Sequence, residues 1–104
     1  MVASKVKSVK AAKGVSTVIW KESLALVVVG EQEITVPAGS KLLTIQSQNG
    51  MPTLWHSHVY KMKPGKSVTK KIYALYTGTP TSIPKTAKYL GTHQSGGMVY
   101  HYFG

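Results

Sequence analysis

The chain of 104 residues has no cysteine, no arginine and no aspartate, and its only acids are Glu22, Glu31 and Glu33. Without cysteine there is no disulfide framework and no thiolate metal site. Without aspartate, a Ser-His-Asp triad cannot be assembled, and a paired-carboxylate site would have to use Glu31 and Glu33. These shortages lead us to expect a protein that is not an enzyme and carries no cofactor. No apolar run approaches the ~20 residues of a membrane-crossing helix. No hydrophobic segment follows the N-terminal lysines, so no secretory signal is expected. The expectation is a soluble, intracellular protein with no membrane partner.

Thirteen lysines stand against the three glutamates, giving a net charge of +10. Such an excess on a small chain favours a polyanionic partner, nucleic acid included. Lysine is a flexible point charge, whereas the planar fork that grips guanine belongs to arginine. The expected mode is therefore neutralisation of phosphates without sequence preference. The candidate anion-binding residues are Lys5, Lys7, Lys10 and Lys13 in the N-terminal segment and Lys61, Lys63, Lys66, Lys70 and Lys71 further on. Lysines that only keep sheet edges from pairing would be the plainer explanation.

Residues 1–17 read as a basic arm, with Val2, Val6 and Val9 at helical spacing but too many β-branched residues for a stable isolated helix. Residues 18–104 read as one β domain. Its organising stretch is residues 37–55, where Leu43 and Ile45 alternate with Thr44 and Gln46 and lead into Asn49-Gly50. That dipeptide favours a two-residue type I′ hairpin, which requires φ > 0 at both positions. The register then places Gln48 opposite Met51, Ile45 opposite Leu54, Thr44 opposite Trp55 and Leu43 opposite His56. Pro52 suggests that the outer side of that strand is unpaired at that residue. Further strands are expected at Val18–Trp20, Leu24–Val29, Ile34–Val36, Ile72–Tyr76, from Tyr89, and Met98–Phe103. Turns fall at Pro64-Gly65 and Gly96-Gly97, and residues 78–84 form a loop. About seven short strands point to an all-β fold, a small antiparallel sandwich or barrel.

Tyr73 and Tyr76 in one of these strands, and Tyr100 and Tyr102, which alternate with His101 in another, are candidates for base stacking. Trp20, Trp55 and Phe103 are expected in the core. His56 and His58 share one strand face at a spacing able to hold a metal. With no acid near them in sequence they are weak candidates, and no metal site is expected.

Several blocks, Ile19-Trp20-Lys21, residues 34–55, Thr77-Gly78-Thr79-Pro80, Tyr89-Leu90-Gly91-Thr92, Gln94 and residues 99–103, give a pattern that resembles a family of small bacteriophage proteins of unassigned function. The resemblance covers about residues 19–103. It implies a phage origin and a compact β domain, and it carries no activity. The family usually continues after the Leu-Trp pair with apolar residues and an acidic turn, where His56-Ser57-His58-Val59 stand in this chain, and it usually lacks a lysine arm. Two roles follow as expectations. One is an accessory protein in the host cytoplasm that binds nucleic acid, a nucleotide signal, or an acidic host or defence protein. The other is a virion structural or decoration protein whose arm contacts neighbouring subunits in a homo-oligomer or larger assembly.

Overall fold

The computed structural model describes residues 14–25, 29–63 and 65–104. The expected arm with its four lysines, the middle of the expected Leu24–Val29 strand, and the proline of the Pro64-Gly65 turn lie outside the described residues. Among the described residues seven strands follow in order: β1 Thr17–Ser23, β2 Gly30–Pro37, β3 Lys41–Gln48, β4 Met51–Val59, β5 Ser67–Tyr76, β6 Tyr89–Ser95 and β7 Met98–Phe103. They make one sheet in the order β1-β4-β3-β6-β7-β5-β2, curled into a half-barrel. The expected all-β fold of about seven strands is what forms.

The central hairpin follows its turn chemistry. Asn49 and Gly50 both have positive φ, 53° and 77°. The expected pairs Gln48–Met51, Ile45–Leu54 and Thr44–Trp55 are present. Register then shifts at a bulge between Leu42 and Thr44, so that Leu42, and not Leu43, stands opposite His56. The extra residue turns Leu42 inward and leaves Leu43 exposed, which corrects the expected pairing of Leu43 with His56.

Pro52 also needs correction. Strand β4 is interior, with β1 on its outer side from Ser23–Thr53 to Thr17–Val59. Leu24 N donates to Pro52 O at 2.9 Å, and only the return bond is missing. A proline near the start of a strand removes just that terminal rung. Leu24 and Ala25 belong to no strand; Leu24 instead closes the core.

All pairs are antiparallel except β3–β6, where Ile45 lies beside Gly91 in parallel. This pair is the seam between the β1-β4-β3 half and the β6-β7-β5-β2 half. The concave face gathers Ile45, Leu54, Ile72, Ala74, Leu90, Tyr100 and Tyr102 as the buried cluster. Burial of that set, at roughly 25 cal/mol per Å² of apolar surface, is what holds the curl.

Candidate anion-binding end of the half-barrel

The strand directions decide where the charges go. With β3 and β6 parallel and every other pair antiparallel, one end of the half-barrel holds the starts of β1, β3, β5 and β6 and the finishes of β2, β4 and β7. Lys41 is the first residue of β3, and Lys61, Lys63 and Lys66 lie in the β4–β5 connection. Lys70 is in the first half of β5, and Lys85 and Lys88 immediately precede β6. Of the described lysines, these seven stand at that end, while Lys71 sits at mid-strand and Lys21 toward the other end.

Two depressions open among these lysines. The first, of about 410 Å³, lies between the two terminal strands of the sheet. Val18 and Trp20 of β1 and His58 to Tyr60 of β4 form one wall. Pro37 and Ala38 at the end of β2, with Lys66 and Ser67, form the other. Ser40 Oγ and N both bond to Pro37 O, and Ala38 N donates to Lys66 O at 2.8 Å, so the lysine loop is tied to the β2–β3 turn. On the opposite wall, Tyr60 N donates to Ser16 O. The second, wider groove, of about 690 Å³, carries Lys41, Lys70, Lys71 and Lys88 together with Tyr73. It exists because β7 ends at Phe103 opposite Tyr73, leaving the first part of β5 without a neighbour on that side among the described residues.

Of the lysines expected to bind anions, Lys61, Lys63, Lys66 and Lys70 therefore converge. Lys71 lines the same groove but is paired with Glu31 at 3.2 Å. The hydrogen bond to that carboxylate, and then its charge, hold the Lys71 ammonium above the ordinary lysine value. Sequence reasoning missed Lys41, Lys85 and Lys88. They are far apart in the chain, and only the strand order brings them to the cluster.

The aromatic expectations change. Tyr100 and Tyr102 are among the largest fully buried side chains, 1 % and 0 % exposed, so they pack the core and have no free face for a base. Tyr76 packs against that core, tilted on Tyr100 at 5.7 Å. Tyr73 remains half-buried at the second groove. Conversely Trp20, expected in the core, is 52 % exposed at the first cleft. Trp55 is half-buried with Lys21 Nζ 5.7 Å from its ring centroid, and Phe103 meets Tyr89 edge-on.

His56 and His58 do project from one face. The His58 ring meets Trp20 in a T-shaped contact at 4.8 Å, and wholly buried His56 lies 3.7 Å from Glu22. His93 bonds to Ser47 Oγ at 2.6 Å, and His101 sits between Thr77 and Thr92. Among the described residues, no three histidines or acids gather in a way that could hold a metal ion.

Comparison with curated proteins yields no match, and neither does comparison with solved structures. A family model described as a domain of unknown function (DUF7352) matches residues 15–104. The half-barrel, both edge strands and the lysine-bearing end all lie within that match, and the chain belongs to this family of domains of unknown function.

Proposed function

We propose that this is a non-enzymatic, phage-encoded accessory protein that binds a polyanion, foremost nucleic acid, through the lysine-bearing end of the half-barrel. The observation that carries the reading is the convergence of Lys41, Lys61, Lys63, Lys66, Lys70, Lys85 and Lys88 at one end. Like charges crowded around two concavities raise the local potential and attract anions. Nothing in that geometry offers a bidentate fork, so phosphate contacts dominate and sequence preference is slight. Phage origin and a site of action in the host cytoplasm rest on the resemblance of residues 19–103 alone.

The test is binding of a labelled oligonucleotide across a salt series. Each lysine that neutralises a phosphate contributes a slope of about −0.7 on a single strand or −0.9 on a duplex in log K against log salt. Replacing Lys61, Lys63 and Lys66 by serine should flatten the slope by about 2 on a single strand and nearly 3 on a duplex. Lys21→Ser, at the other end, should leave it unchanged. Binding with no salt dependence, or an equal effect of Lys21→Ser, would remove the reading.

A virion structural or decoration role has one observation in its favour. Strand β1 is a terminal strand whose outer edge has no neighbour among the described residues, and its Ile19 is 59 % exposed. Such an edge suits pairing with a second copy. Stoichiometric incorporation into purified particles, read by mass spectrometry, would favour this role over the first.

A further inference from the structure

We propose that the cleft between β1 and the β2–β5 wall takes an unpaired base of single-stranded nucleic acid, stacked on Trp20, with the adjoining phosphates on Lys61, Lys63 and Lys66. This rests on the polyanion reading above and narrows it to a class of strand.

Trp20 lies on the concave face of β1, in line with Val18 and opposite His56, where a closed barrel would cover it. Among the described residues the sheet does not close there, and the indole lines the open cleft with Val18, Pro37, Val59 and Tyr60. An indole left half-exposed in an apolar depression presents a large flat surface to water. The T-shaped contact from His58, at an interplanar angle of 80°, braces that surface on one side. The cleft, at about 410 Å³, is within the ~300–1,000 Å³ span of small-molecule sites.

Three features select the occupant. The lining is apolar and aromatic, which suits the face of a base, and stacking tolerates any base. Lys61, Lys63 and Lys66 all line this same cleft, and the Ala38 N–Lys66 O bond fixes the end of their loop against its wall. Charge is thus supplied beside the aromatic floor, as a base with its phosphate requires. Finally, the bases of a duplex are stacked inside it and reach a cleft only by unpairing, at a cost of a few kcal/mol. A single strand has no such cost.

The experiment follows tryptophan fluorescence of the full chain during titration with oligothymidylate, with a duplex of equal length, and with thymidine monophosphate. Oligothymidylate should quench the emission and shield it from acrylamide. Trp20→Ala should abolish that quenching and weaken single-strand binding roughly five- to 150-fold, the equivalent of ~1–3 kcal/mol per stacked base. Trp20→Phe should keep most of the affinity, and duplex binding should be the same for all three proteins. If oligothymidylate binds but leaves the emission and acrylamide access unchanged, base stacking is overturned while the polyanion reading stands. Equal loss of duplex and single-strand affinity in Trp20→Ala would likewise overturn it. Monophosphate binding as tight as the oligomer would make the ligand a free nucleotide and overturn the strand. Absence of binding to any of them would sink both readings. Should Trp20→Ala fail to melt cooperatively, quenching and acrylamide shielding in the unaltered chain decide the matter alone.

Discussion

Tyr102 shows how a single side chain in this core responds to pH. Its ring is wholly buried beside Ala74 and Tyr100, and its hydroxyl has no hydrogen-bond partner among the protein groups described. Burial, and secondarily the neighbouring Tyr100, hold the phenol above the ordinary value of 10.0. The unfolded chain therefore releases this proton first. The stabilising contribution is complete below about pH 10 and is lost as pH rises through the raised value. Lys71, also held above its ordinary value, acts in the same direction through its loss of Glu31. Tyr102→Phe separates the two. No protein hydrogen bond is lost, so at pH 7 the change should cost less than about 1 kcal/mol. Between pH 9 and 11.5 its melting temperature should fall less steeply than that of the unaltered chain. Parallel curves would show that Tyr102 does not drive the alkaline loss. The burial of Tyr100 and Tyr102 was not legible from alternation alone. Both faces of β7 carry large apolar or aromatic residues, and a period of two separates faces without saying which is inside.

Among the elements, the β3–β6 seam is the narrowest join in the sheet. A Cβ on Gly91 would lie 1.9 Å from Ile45 O, a backbone atom that cannot swing aside. Gly91→Ala must push β6 off β3 and loosen the contact between the two halves. A loss of at least about 2 kcal/mol is expected in urea unfolding. Gly97→Ala, in a turn with no atom within 4 Å, should stay within about 0.5 kcal/mol. Similar losses for the two would show that the seam does not govern stability. The hairpin was readable because Asn49-Gly50 is a local signal that sets register for its neighbours. The bulge at Leu42 and the parallel pairing have no such signal, since they arise from packing between distant segments. The site suffers for the same reason. Alternating strand direction alone would send Lys88 to the end opposite Lys41. The long connection after Tyr76 and the parallel β3–β6 pair bring it back.

Taken together, the described residues are electrically lopsided. Seven lysines stand at one end, while Glu22 is near the far end of β1 and Glu31 near the far end of β2. A field of this form orients an approaching polyanion before contact and makes its association rate sensitive to salt. The chain enters β1 at the lysine-bearing end, and residues 1–13 lie outside the described residues. Removing residues 1–13 takes away Lys5, Lys7, Lys10 and Lys13 and lowers the net charge from +10 to +6. The family match, which begins at residue 15, is left whole. The shortened chain should therefore fold with nearly the same melting temperature. If all four lysines meet phosphates of a single strand, the salt slope should become shallower by about 3, at ~0.7 per contact. Quenching of Trp20 by bound strand should persist, because every described residue that lines the cleft follows Ser16. An unchanged slope would place the arm away from the nucleic acid and strengthen the case for contacts with neighbouring subunits. A shortened chain that does not fold would make the arm part of the folded body and defeat both assignments.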